Sequence, residues 1–507
     1  MLNVVLTTFH FLLSNLSIGD LMEIIEVDAY YLPPDFRSQV KDFRTEIYQD
    51  EDITIHLKIP LISRSLVETL TNQLKKNRDT YLASLPIERI IDVLDEASRK
   101  WLERDYPLRN LALKTIPAIT HFSREVVEAS IDVEMESSLR EDIWRALCSE
   151  IKNPLFLDDF QYSPELNGYS RAFGPELIIS IFSENIPALP HLLFMRSVLL
   201  KAACLGKVAT GEPTFAPLYL KTIEEIDPEI AKSMAVLYWR GGEEDVEEVA
   251  FNQADAVIMF GGVEACHSLM EKIPRRVKVL LHGHKLGFGV IGRRRLNHQG
   301  LEELAASVAL DCSMFDQQAC LAPHVYYVEE GGEVSPEEFC QTLAKAMERL
   351  NLKMPRGKIS PGEASTIHQL RAKYELRELK GEEVLLLSSP HGTDWTVVYE
   401  KGPGIFIPSP LNRFIRICGV KDIFQIPQTI KSIGSYLQNA AVAIGDEREK
   451  ELIRELGKLG VARITSPGKM SVPSMMWHHD GISPLSSLLR WCDVEKKEAI
   501  EGIEKKK

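Results

Sequence analysis

Between residues 177 and 281 the chain repeats one pattern: a short apolar run rich in β-branched residues, then glycine or a polar break, then a helix-like stretch. The runs are Leu177–Phe182, Met234–Trp239, Ala256–Phe260 and Val277–Leu281, and Leu218–Ile226 and Glu243–Asn252 between them carry helical periodicity. Runs of this length are too short for buried helices and suit strands that are covered on both faces. Strands alternating with helices predict an α/β fold with a doubly wound sheet, in which ligands sit beyond the carboxyl ends of the strands. Glycines gather at those ends, as Gly241–Gly242, Gly261–Gly262 and Gly283, where backbone must pass close to a ligand or a helix. Upstream, Leu192–Met195 leads into Val198–Leu200, followed by a Gly/Thr/Pro-rich loop from Gly206 to Pro217.

A helical region precedes this sheet, from about Ser65 to Ser149, with Ile87, Ile90, Ile91, Val93 and Leu94 at helix-face spacing. A second α/β lobe follows it. Helices at Gly300–Leu310 and Pro336–Leu350 flank a strand at His324–Val328, and further strands fall at Val384–Leu387 and Thr396–Tyr399. Ala441–Ile444 and Val461–Ile464 bracket an amphipathic helix at Asp446–Leu459. The expected division is a leader over 1–21, a helical and Rossmann-like cofactor-binding region over 22–285, and a catalytic region over 286–475. A C-terminal segment over 476–507 returns to the site and ends in a charged tail. No repeat or low-complexity linker separates the lobes, so the site is expected between them.

The 507 residues carry a formal net charge of -14, which gives nucleic-acid binding no electrostatic support. Arg293–Arg295 is the tightest basic cluster, with Arg275–Arg276 upstream; each reads as a solvated loop or as a fork for an anionic cofactor tail. The eight cysteines are scattered without a CxxC pair, so neither a metal site nor a disulfide framework is indicated, and the chain reads as cytoplasmic. No Lys or Arg occurs before Arg37, which argues against a secretory signal, and no apolar run is long enough for a membrane span.

Cys320 ends a polar break, Asp311-Cys-Ser-Met-Phe-Asp-Gln-Gln-Ala-Cys320, between a helix and a strand. A thiol there can be an exposed nucleophile or a small core residue. Asn185 follows a strand and serves equally as a turn former. Lys201 reads on its own as a lysine snorkelling from a strand end. Trp477-His-His-Asp480 is the densest titratable cluster, and a His479–Asp480 neighbour pair could shuttle a proton. His282 and His284 are further candidate bases, and His324 opens a strand.

Six segments in order resemble the aldehyde dehydrogenase superfamily, and more closely its long-chain acyl-CoA reductase branch, the reductase type of bacterial luminescence. They are Ser183–Pro187, Val198–Lys201, Val236–Trp239, Ala254–Gly262, Phe315–Cys320 and His479–Leu485. The resemblance implies that Cys320 is the nucleophile and that Asn185, with the Cys320 N–H, holds the oxyanion. It implies that Lys201 meets the cofactor ribose, that Gly261 and Gly262 lie near the pyrophosphate or nicotinamide, and that the cofactor is NADPH, since no carboxylate follows Lys201. Hydrolytic members carry a water-activating Glu in the segment equivalent to Leu280–Lys285, and this chain has no carboxylate there. The expected reaction is therefore reduction of an acyl thioester such as acyl-CoA to an aldehyde, with His479 as a proton shuttle. An acyl-protein synthetase partner and a homo-oligomer are implied as well. The alternatives are an acyl-phosphate reductase of the glutamyl phosphate type, or a non-catalytic subunit serving an acyl-transferring partner. An amino-acid substrate needs charged anchors, whereas an acyl chain needs an apolar tunnel.

Overall fold

The computed structural model describes residues 23–50 and 52–495, so the expected leader and the charged tail lie outside the described residues. Strands β1 (Glu23–Asp28), β2 (Phe43–Asp50) and β3 (Ile53–Pro60) form a small sheet in the order β1-β3-β2. Five helices follow between Arg64 and Ile151. In Ile87–Leu102 the buried face carries Ile87, Ile90, Ile91, Leu94 and Trp101, and the Trp101 indole donates to Thr222 at 2.9 Å, fixing the helical layer to the first large sheet's own helix Phe215–Ile226.

Strands β4 (Gln161–Ser163) and β5 (Gly168–Phe173) precede that sheet. It is built from β6 (Leu177–Ile181), β7 (Ala203–Lys207), β8 (Met234–Leu237), β9 (Ala256–Phe260) and β10 (Lys278–His282), all parallel, in the order β10-β9-β6-β7-β8. From β6 the chain winds to β7 and β8 on one side, then returns to place β9 and β10 on the other. The crevice between β6 and β9 is thus a topological switch point, where a doubly wound sheet takes its ligand.

The second lobe holds seven strands: β11 (Leu286–Ile291), β12 (Pro323–Glu329), β13 (Val384–Ser388), β14 (Thr396–Lys401), β15 (Phe414–Val420), β16 (Leu437–Ala443) and β17 (Arg463–Thr465). Their order is β13-β14-β15-β12-β11-β16-β17, with only β13 antiparallel to its neighbour. Gly289 in β11 lets the Tyr326 ring lie flat on the strand, since a Cβ there would meet that ring at 2.0 Å. Finally β18 (Arg490–Val494) pairs antiparallel with β5, bringing the end of the described chain back to the first lobe. The α/β, doubly wound expectation holds. No helix among the described residues is long and apolar enough to cross a membrane.

Candidate active site

A cavity of about 450 Å³ opens where the carboxyl ends of β6, β9 and β10 face the amino ends of β11, β12 and β15. Asn185, Gly261, Gly262, His282, Cys320 and His479 all line it. Five residues proposed from sequence, Cys320, Asn185, His479, Gly261 and Gly262, thus meet in one place.

Cys320 is set by an unusual turn. Helix Leu301–Ser313 ends, and Phe315, Asp316 and Gln317 take left-handed backbone with φ of 52°, 48° and 68°. No glycine relieves this stretch, and each such residue costs about 1–3 kcal/mol unless its surroundings impose it. They do: Asp316 Oδ1 accepts from Arg413 Nε at 2.7 Å, and Oδ2 accepts from the Gly357 N–H at 2.9 Å. Gln317 Nε2 donates to the carbonyls of Pro323 and Phe414 at 2.7 and 3.1 Å. Arg413 sits in a second left-handed run, Leu411–Arg413, and also donates to Asn351 and to the Met354 carbonyl. Two strained turns therefore brace one another across a buried ion pair, and the loop carrying Cys320 hangs from the brace. Asn185 Nδ2 donates to the Gln318 carbonyl at 2.9 Å, which ties the amide directly to that loop.

Burial pushes the Cys320 thiol up to about 12; the Asp480 charge adds to this, while the Cys320 backbone N–H and Lys285 pull the other way. The resting group is the thiol, so a base must take its proton. Asp480 does not serve its sequence neighbour. Its Oδ2 lies 2.6 Å from Nδ1 of His282, at the end of β10, while Asp480 itself is turned by left-handed backbone of φ 55°. With Nδ1–H donating to Asp480, His282 keeps Nε2 unprotonated, and this buried atom has no hydrogen-bond partner. Burial lowers the His282 pKa against the Asp480 hydrogen bond, so the imidazole is neutral and available as a base. The expected His479–Asp480 pair is thus replaced by a His282–Asp480 pair. His479 stacks between His282 (3.9 Å between centroids) and Trp477 (4.6 Å), and burial holds its pKa well below the ordinary value. His282, His479 and Asp480 bring ligand atoms within 4.8 Å of one another, but the two rings are 26° from parallel. Nitrogen lone pairs lie in the ring planes, so stacked rings do not converge on one ion.

These charges make a reactivity prediction. Iodoacetamide labelling of Cys320 rises about tenfold per pH unit between pH 7 and 9 in the wild type, because only thiolate reacts. Asp480→Asn removes a charge that raises the Cys320 pKa, so labelling at fixed pH becomes faster while turnover falls. Peptide mass spectrometry reads the first and a steady-state assay the second; slower labelling in the variant would contradict the assignment.

Lys201 does not reach the cavity. It lies before β7, at the amino edge of the sheet and about 13 Å of strand away from the ligand edge, with left-handed φ of 55° and its ammonium 2.6 Å from Asp158. The reason is local: Pro190–Leu199 is helical, and the strand expected near residues 198–200 runs instead from Ala203 to Lys207. Lys207, missed in the sequence because it falls in a Gly/Thr/Pro-rich stretch read as loop, ends β7 at the ligand edge. Its ammonium lies 5.7 Å from the Trp239 ring centroid, and burial lowers its pKa against the pull of Glu247, Glu243 and Glu184. Gly262 is the N-cap of helix Val263–Met270, makes no side-chain cap, and has nothing within 4 Å of where a Cβ would stand. Its amide end is open to an anionic group such as a pyrophosphate.

A cysteine on a braced loop, an amide tied to that loop and a histidine–aspartate pair, all at the switch point of a parallel sheet, define an enzyme of the aldehyde dehydrogenase fold. Solved structures agree: the NAD-dependent benzaldehyde dehydrogenase of Corynebacterium glutamicum superposes with a TM-score of 0.64 at 13% identity, covering 89% of this chain and 95% of that one. Betaine aldehyde dehydrogenase of Staphylococcus aureus gives 0.62 at 13% identity, with 92% of each chain covered. Residues 82–491 match the family model described as acyl-CoA reductase (LuxC), and the chain belongs to that family; it is an acyl reductase. Its curated relatives include the long-chain acyl-protein thioester reductases of Vibrio harveyi, 24% identical over 425 residues (82% of this chain, 84% of that one), and of Aliivibrio fischeri, 24% identical over 482 residues (92% and 93%).

Proposed function

We propose that the chain reduces a long-chain fatty acyl thioester to the fatty aldehyde with NADPH, through an acyl-enzyme on Cys320. The observation that carries this is the base that shares the cavity with the cysteine: at the end of β10 stands His282, held by Asp480, in a segment with no carboxylate to activate water. An acyl-enzyme formed here is protected from the hydrolysis that a glutamate would promote.

In the proposed sequence, His282 Nε2 takes the Cys320 proton and the thiolate attacks the thioester carbonyl. Asn185 Nδ2 and the Cys320 N–H hold the oxyanion. Collapse expels the donor thiolate, which takes the proton from His282, and leaves Cys320 acylated. Hydride to that carbonyl carbon is the chemistry a nicotinamide bound at this edge supplies. The same two donors hold the second oxyanion, whose collapse releases aldehyde and frees the Cys320 thiolate, to be reprotonated by a proton taken up from solvent.

The cofactor edge fits such a group. Gly261 and Gly262 open the helix amide end to the pyrophosphate, and Lys207, rather than Lys201, stands where a ribose would meet an ammonium. The residues after it, Val208, Ala209 and Thr210, again include no carboxylate. Arg240, just past β8, is exposed and lies 3.8 Å from Glu46; we read it as the cation that would meet a 2′-phosphate, in keeping with NADPH. The acyl donor is read as acyl-CoA or an acyl-protein synthetase partner, and the enzyme as a cytoplasmic homo-oligomer.

The test is NADPH oxidation with a panel of acyl-CoAs, with trapping of the aldehyde. Aldehyde formed in step with NADPH oxidised supports the reading; free acid as the product defeats it. Asn185→Ala is expected to lower kcat by about 100- to 1000-fold, the usual effect of losing one oxyanion donor. A rise confined to KM would take Asn185 out of that role.

A further inference from the structure

Helix Pro190–Leu199 and its N-cap present one stripe to the cavity: Leu189, Leu192 and Arg196, at i, i+3 and i+7. The stripe starts near Asn185 and runs about 10 Å along the helix axis. Its first members are apolar and its last is a cation. Arg196 is 4% exposed, and its Nη1 is buried without a hydrogen-bond partner. Glu134, its side chain 13% exposed, lines the same wall from helix Arg124–Glu136. The other carboxylate near Arg196, Glu150, is engaged by the N–H groups of Leu485 and Ser486 at 2.9 and 2.8 Å.

A buried guanidinium without an ion pair is costly, and protein interiors rarely leave one unless a ligand completes it. Burial pushes the Glu134 carboxyl up to about 7 against the pull of Arg196, so in its neutral form it can donate a hydrogen bond. A guanidinium fork beside a carboxylic acid is complementary to a carboxylate, accepting nothing from it and donating on two sides. Neither feature suits a methyl terminus.

We propose that Arg196 and Glu134 form a subsite for a carboxylate carried at the far end of the acyl chain, so that the substrate is an ω-carboxyacyl thioester. This rests on the acyl-thioester reading above and narrows its substrate class.

Binding and turnover separate the two ideas. Monomethyl decanedioate and methyl decanoate, which differ only in the far carboxylate, are titrated calorimetrically into the full chain. The wild type binds the carboxylate-bearing ester tighter by at least about tenfold, the scale of a charge-assisted hydrogen bond. Arg196→Met erases that preference, and Arg196→Lys, which keeps the charge but not the fork, retains part of it. Equal affinity for the two esters in the wild type, or a preference that survives Arg196→Met, overturns the subsite. If Arg196→Met does not fold, the wild-type ratio and its reduction in Glu134→Gln decide; an undiminished preference in Glu134→Gln likewise overturns the paired subsite. The matching ω-carboxyacyl-CoA and plain acyl-CoA are then compared as substrates. Should neither be reduced while the carboxylate preference and its dependence on Arg196 stand, acyl-CoA is excluded as the donor and the carboxylate subsite remains.

Discussion

Cys320→Ala removes acyl-thioester-dependent oxidation of the nicotinamide cofactor by about 10⁴-fold or more, because Cys320 is the one thiol among the described residues that line the cavity. Intact-mass measurement gives a second reading of the same prediction. Incubated with acyl-CoA and no cofactor, the wild type gains the mass of one acyl group on the peptide holding Cys320, and the variant gains none. Binding of the proposed cofactor is unchanged, since the edge we assign to it lies at β7 and β9 and not on the loop of Cys320. Turnover persisting in Cys320→Ala, or an acyl group found on another residue, would remove the cysteine from the mechanism.

Arg413→Met is the second large effect, and it acts through the brace. The Asp316 and Arg413 side chains are 3% and 0% exposed, so the variant leaves a carboxylate buried without its cation. Breaking such a pair costs about 3–5 kcal/mol. The loss also frees Phe315, Asp316 and Gln317 to leave their left-handed conformations. The expected outcome is a lower urea midpoint, together with faster hydrogen exchange over residues 314–320 under conditions where the rest of the chain is still protected. Activity falls further than the unfolded fraction explains, because the Cys320 N–H is no longer held in place. An unchanged midpoint and unchanged exchange in that loop would show that the turn is fixed by something else.

What could be read in the sequence followed from what was local. Cys320, Asn185 and the Gly261–Gly262 pair each stand beside a short apolar run whose burial is evident from its own residues, and the structure brings all of them to the cavity. Lys201 illustrates the limit. From Leu192 to Leu205 the chain is almost wholly buried, so periodicity cannot show where the helix stops and β7 starts. The turn between them is made by a left-handed lysine without a glycine to mark it. The result was a shift along the chain, with Lys207 at the carboxyl end of β7 and Lys201 at the opposite edge. Asp480 illustrates another limit. Its neighbour His479 was the visible partner, while His282 is 198 residues away in the chain, and no local pattern connects them. Strand β15 escaped for a related reason: Arg416 interrupts its apolar run, and only the paired Glu400 on β14 shows why a charge is tolerated there.

The return of the C-terminal segment sets an order of events during synthesis. Cys320 and His282 leave the ribosome well before Asp480 and before β18, the partner of β5; at ordinary elongation rates the interval is on the order of ten seconds. Throughout that interval the imidazole lacks the carboxylate that orients it, and the sheet edge at β5 lacks its closing strand. A nascent or prematurely terminated chain therefore carries the cysteine and the imidazole without the segment that orients them, and the site is complete only once residues 480–494 have folded back.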